Sequence, residues 1–174
     1  MKKTFSFFTV VLCMSFLLVL IQRPGFAGKA GETAAVKVLS IPAPAFEMPG
    51  EMVAYTNNGR LWLNSGAEYV RAPLILPHKT RIKKVQLVCK DNNPTGELRL
   101  WLHVLSNDLS ESFTMCLVES KDAEEGYRVF TTTDIKPNKI DNVNYNYFLN
   151  LRLLGSSDDG YEFVSVKIWY KGSW

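Results

Sequence analysis

The chain has 174 residues, with 20 Lys and Arg against 17 Asp and Glu. Three of the basic residues (Lys2, Lys3 and Arg23) and none of the acidic ones fall in the first 27 positions, so the remainder is formally neutral. That balance offers nucleic acid no net attraction, and the length suits one core rather than two.

Met1-Lys2-Lys3 is a basic start, and an apolar run follows from Phe5 to Ile21. Pro24-Gly25 stops the run, and Gly25-Phe26-Ala27 places small residues at the positions that a signal peptidase reads. Residues 1–27 therefore read as a cleaved export signal, with the mature chain starting at Gly28. Cys13 follows Leu12 inside the apolar run, which is the wrong setting for lipidation. The expected location is periplasmic, cell-surface or secreted, with no membrane attachment after cleavage.

Residues 28–50 are rich in Pro, Ala and Gly and read as an extended lead-in, with Val36–Ile41 able to form an edge strand that Pro42 ends. Residues 51–174 read as a single β domain. Met52–Thr56 and Arg60–Asn64 flank Asn57-Asn58-Gly59, a hairpin signal that predicts a two-residue primed turn at Asn58-Gly59 with both φ angles positive. Tyr69–Leu76 is a strand that Pro73 and Pro77 mark for an edge or a bend. Arg81–Lys90 puts Val85, Leu87 and Cys89 on one face, and Glu97–Leu105 does the same with Leu98, Leu100, Leu102 and Val104. Ser112–Glu119 aligns Phe113, Met115 and Leu117. Tyr127–Thr133, Tyr145–Leu154 and Tyr161–Tyr170 complete the set, with an irregular crossover over 134–144 and a loop over 155–160. No helical stripe follows residue 28. Eight or nine strands at this spacing predict an all-β, antiparallel two-sheet sandwich, of which a jelly roll is one path.

The order Ala72-Pro73-Leu74-Ile75-Leu76-Pro77, then Asp91-Asn92, then Asp141-Asn142-Val143-Asn144-Tyr145-Asn146-Tyr147 resembles a widespread type of exported bacterial β-sandwich. In those chains an APL-LP strand precedes a DN loop and a DN–Y-Y strand. The resemblance spans roughly residues 46–170 and implies a fold and an export route, with no site residue to transfer.

Sites are sparse. No nucleophile elbow, phosphate loop or HExxH occurs, and His78 and His103 lack neighbours at ligand spacing. No cofactor is expected. Asp91-Asn92-Asn93 and Asp141-Asn142 supply oxygens suited to a shared Ca²⁺, or else form Asx turns; which of the two holds leaves metal binding open. Cys89 and Cys116 remain after cleavage. A bridge between them would close about 27 residues and stabilise by roughly 3–4 kcal/mol. Their strand phases place them on unlike faces, which favours buried free thiols.

Off the aliphatic phase lie Trp62, Trp101, Phe163 and Trp169. Outward aromatics stack on sugar rings or bury against a partner, so these four are the candidate binding residues; the competing possibility is that other segments cover them. The first reading is an exported, non-catalytic module acting by binding or assembly, with a glycan, a protein or its own copy as partner. The alternative is a secreted carbohydrate hydrolase drawing acids from separate strands, such as Asp91, Glu97, Asp141 or Glu162, which must converge about 5–9 Å apart. A surface-layer or other structural role is the third.

Overall fold

The computed structural model describes residues 35–47, 53–55, 58–63, 66–92, 97–121, 124–154 and 161–172. The export signal, its cleavage site and the 155–160 loop lie outside the described residues. Among the described residues ten strands form: β1 (Val36–Pro42), β2 (Val53–Tyr55), β3 (Leu61–Leu63), β4 (Ala67–Pro73), β5 (Arg81–Asp91), β6 (Glu97–Ser106), β7 (Ser112–Glu119), β8 (Glu124–Thr132), β9 (Tyr145–Leu154) and β10 (Glu162–Lys171). They build two antiparallel sheets. The six-stranded sheet runs β2-β3-β10-β5-β8 with β1 also on β10, and the four-stranded sheet runs β4-β9-β6-β7. The expected sandwich is present. Set face to face, the orders β3-β10-β5-β8 and β4-β9-β6-β7 follow the jelly-roll path, with β1 and β2 added at one side.

Alternation sets the core. Leu98, Leu100, Leu102 and Val104 from β6, Leu149, Leu151 and Leu153 from β9, and Val85, Leu87 and Cys89 from β5 are all buried between the sheets. The sandwich also takes in part of the 28–50 segment. β1 pairs with β10 along its length, as the edge-strand reading expected, and Phe46 is 2% exposed against Phe163. The crossover is clipped to the start of β5: Lys79 N–H donates to Ile140 O at 2.8 Å, Ile140 N–H to Thr80 O at 2.9 Å and Ile82 N–H to Asn138 O at 2.8 Å.

Three local expectations change. β2 and β3 do pair, but the last pair is Tyr55↔Leu61, which leaves five residues and not two between the paired ends, and Gly59 (φ 70°), without Asn58, has positive φ. β7 changes phase. A bulge opposite Leu102/His103 buries Met115, Cys116 and Val118 and leaves Leu117 38% exposed. β10 is bulged between Phe163 and Ser165, which sends Phe163 inward. An extra residue in one strand of a pair inverts every side chain beyond it, so faces read by strict alternation fail there. The inward turn of Cys116 brings both thiols into the core from opposite sheets, where they are free. Burial pushes each up to about 12.

The end of β10 depends on glycine. Gly172 (φ 149°) lies against the buried Thr80, and a Cβ there would overlap the Thr80 side chain and sit 3.0 Å from its Cα. Gly126 (φ 101°) also needs positive φ, yet has open space around it. Each Gly→Ala change carries backbone strain of about 1–3 kcal/mol. Gly172→Ala should lower the denaturation midpoint clearly more than Gly126→Ala, because only the former also displaces Thr80.

Candidate binding face on the four-stranded sheet

The outward side chains of β4, β9, β6 and β7 fall in register. One row reads Tyr69, Arg152, Arg99 and Glu119; the next reads Arg71, Asn150, Trp101 and Leu117; the third reads Pro73, Phe148, His103 and Thr114. The inward neighbours are the leucines of the core, which forces these residues to the other side of the pleat. Aromatic rings therefore collect on one surface. Tyr69 and Trp101 meet across β9 with centroids 6.2 Å apart and planes 30° apart. Trp101 and His103 are 6.2 Å apart and nearly parallel at 18°, and His103 is 5.5 Å from Phe148. Arg71 adds its guanidinium 5.9 Å over the Phe148 ring.

His103 is held by its surroundings. Its Nδ1 lies 3.0 Å from Thr114 Oγ1. Burial first, and then the charge of Arg71, lower its pKa, against a hydrogen bond to the Phe113 backbone that raises it. Arg99 Nε pairs with Glu119 at 3.0 Å. Among the described residues Arg71 and Arg152 form no ion pair, and two shielded atoms on this face, Asn150 Oδ1 and Arg152 Nε, have no hydrogen-bond partner.

The four residues singled out by sequence do not share a surface. Trp101 is on this face. Trp62 and Trp169 are half-buried on the outer side of the other sheet. The ring of Trp169 is capped by Lys84 Nζ at 3.6 Å from its centroid. Phe163, expected outward, is 0% exposed and packs edge to face on Phe46 at 4.9 Å, because of the bulge after it. Tyr69, His103, Phe148, Arg71 and Arg152 escaped the sequence reading. Alternation places each outward, but only the pairing of β4, β9 and β6 brings them side by side.

The oxygen-rich motifs are also separated. Asp141 sits by the start of β5 and Asp91 at its end, ten extended residues away, or about 33 Å. No shared Ca²⁺ is feasible between them. Asp141 instead makes an Asx turn, accepting from Val143 N–H at 3.1 Å and Asn144 Nδ2 at 2.8 Å. Asp91 is 2% exposed and accepts from the Ser120 hydroxyl. Glu162 faces the outer side of the six-stranded sheet, bound to Arg60 at 2.8 Å and Tyr127 at 2.6 Å. No two of Asp91, Asp141 and Glu162 share a cleft; the Glu97 side chain lies outside the described residues. Among the described residues no cluster of three His, Cys, Asp or Glu forms a metal set.

A groove of about 360 Å³ at the loop end is lined by Ser106, Asn107, Asp108, Glu111, Asn144 and Tyr145. Its polar groups largely satisfy one another: Asn107 Nδ2 donates to Val143 O at 2.7 Å, Asn146 Nδ2 donates to Asn107 Oδ1 at 2.7 Å, and hydrogen bonds from Ser106 and Ser110 hold Asp108 at about 2. The sheet face differs in leaving polar groups unmatched beside the exposed Tyr69 and half-buried Trp101, His103 and Phe148.

No protein-family model matches the chain, and no curated protein does. Among solved structures, the chain is similar to the family 36-1 carbohydrate-binding domain of a multidomain xylanase from the hindgut metagenome of Trinervitermes trinervoides. That match has TM-score 0.50 and 15% identity, covering 79% of this chain and 99% of that one. It is also similar to the Clostridium thermocellum xylanase 10B structure, which joins a family 22-1 carbohydrate-binding module to a family 10 catalytic module, in complex with xylohexaose. There the TM-score is 0.52 at 13% identity, covering 81% of this chain and 29% of that one. At such identities the likeness establishes the β-sandwich fold.

A depressed His103 has a signed consequence. Its proton binds less readily in the folded than in the unfolded chain, so the stability it contributes is present above the unfolded value of 6.5 and is lost as pH falls through the lower folded value. His103→Gln should therefore flatten the fall of melting temperature between about pH 7 and pH 5.

Proposed function

We propose that this protein is an exported, non-catalytic β-sandwich that binds glycan through the outer face of its four-stranded sheet. The observation that carries the reading is the ring set Tyr69, Trp101, His103 and Phe148, held side by side on three paired strands with hydrogen-bonding groups between. Sugar rings present apolar C–H faces that stack on aromatic planes and hydroxyls that pair with Asn and Arg. The sandwich likeness to domains of xylanases described as carbohydrate-binding supports the same class of ligand. Of the four sequence candidates, Trp101 stays in the proposed site. Trp169 is less suited, since Lys84 already occupies a ring face, and Phe163 is sealed in the core.

Assembly with a protein or a second copy is a separate reading. Val36, Val38 and Val129 favour it, being 50%, 51% and 55% exposed on strands of the six-stranded sheet.

The glycan reading is tested by paired binding and melting measurements. Trp101→Ala should weaken retention on polysaccharide by about 2 kcal/mol with little change in melting temperature, whereas Leu100→Ala beside it should destabilise the fold by about 2–5 kcal/mol. If Trp101→Ala unfolds as readily as Leu100→Ala, this face is structural and the reading fails.

Export rests on the basic and apolar start and on Gly25-Phe26-Ala27. N-terminal sequencing of the protein recovered outside the cytoplasm should return Gly28 as its first residue.

A further inference from the structure

Guanidiniums outnumber carboxylates among the described side chains of the proposed face. Its described outward side chains include the guanidiniums of Arg71, Arg99 and Arg152 and two carboxylates: Glu119, which is already paired with Arg99, and Glu47, which lies opposite Arg71 across an isolated bridge but forms no ion pair with it. Arg71 and Arg152 stand on neighbouring strands, two residues apart in register, Arg71 in the row that holds Trp101 and Arg152 in the row that holds Tyr69. Neither has an ionic partner among the described residues. Arg152 Nε also lacks a hydrogen-bond partner among the described residues while shielded from water, an unfavourable state that an incoming acceptor relieves when the side chain moves to meet it.

A neutral sugar polymer would supply only hydroxyls to these two cations. An acidic one would supply the missing charge. Resting on the glycan reading above, we propose that the ligand is a uronic-acid polymer. In a uronate the carboxylate is attached directly to the pyranose ring. When the ring stacks on Trp101 or Tyr69, the carboxylate projects sideways from the ring edge, toward Arg71 or Arg152 on the adjoining strands. The guanidinium fork matches a planar carboxylate with two parallel N–H···O bonds, which a Lys cannot do. The outer side of the other sheet lacks this combination: its capped ring, Trp169, meets an ammonium, and its Arg60 is bound to Glu162.

The test compares the full exported chain on three soluble polymers: polygalacturonate, unsubstituted xylan and dextran sulfate, read by affinity electrophoresis beside thermal melting. The expected result is retention by polygalacturonate well above xylan, weakened by salt. Arg71→Gln and Arg152→Gln should each lower it by about tenfold or more without a matching fall in melting temperature. Equal retention by xylan and polygalacturonate overturns the acidic inference and leaves the glycan reading standing. Equal retention by dextran sulfate, with the two Arg variants affecting both anionic polymers alike, reduces the effect to general anion attraction and overturns it too. Retention by none of the three polymers removes the glycan reading and this inference with it. If Arg152→Gln melts early, Arg71→Gln, at an exposed position, decides the outcome alone.

Discussion

Phe46 and Phe163 meet edge to face in the core, 4.9 Å apart at 81°, and the closure of the sandwich turns on that contact. β10 is the strand that holds the six-stranded sheet together. One of its edges pairs with β5, while the other is divided: Phe163 faces Leu61 of β3, and Ser165–Lys171 face β1. A strand of uniform alternation would keep Phe163 on the same side as Trp169. The bulge between Phe163 and Ser165 breaks the alternation where the partner changes, and Phe163 turns inward. Phe46 arrives from the other side, carried by the 3₁₀ turn Ala43–Ala45 that follows β1. One aromatic pair, worth about 0.5–1.5 kcal/mol beyond its buried area, thus joins the N-terminal strand to the C-terminal one.

The bulges decide what each outer face presents. In β10 the shift leaves Trp169 outside and lets Lys84 settle on it. In β7 it turns Cys116 and Val118 inward and Leu117 outward beside Trp101. The result is two surfaces of different chemistry on opposite sides of one sandwich. The four-stranded sheet carries near-parallel rings with guanidiniums between them. The six-stranded sheet carries exposed valines, lysines and the Arg60–Glu162–Tyr127 contact. A neutral total charge beyond residue 27 hides this division, because cancellation is local. Arg60 is matched by Glu162, Arg99 by Glu119 and Lys136 by Asp134. Arg71 and Arg152 on the ring face form no such pair among the described residues.

Much of the fold was legible in the sequence because it depends on neighbours in the chain. Period-two alternation in Leu98–Val104 and Val85–Cys89 dictates strands with one buried face, and turn formers punctuate them. The irregular crossover over 134–144 and the edge position of β4 were readable from Pro, Asn and Asp. The site was legible only in part. Trp101 stood out as an aromatic off the aliphatic phase. Tyr69, His103 and Phe148 carried no such mark, since a lone outward ring on a strand is ordinary.

The amino-acid sequence by itself determined an all-β chain, its strand faces wherever alternation is unbroken, and the neutrality of the part beyond residue 27. Only the tertiary structure decided which strands lie side by side, where the bulges in β7 and β10 fall and which rings share a surface. Asp91-Asn92 and Asp141-Asn142 look alike as motifs, yet the length of β5 separates them. Trp101 and Trp169 look alike as outward rings, yet they lie on opposite sheets. The reason is physical. Alternation is a property of one strand and its covalent geometry, whereas sheet order comes from hydrogen bonds between strands far apart in the chain. A single extra residue, placed by those distant partners, inverts every face beyond it.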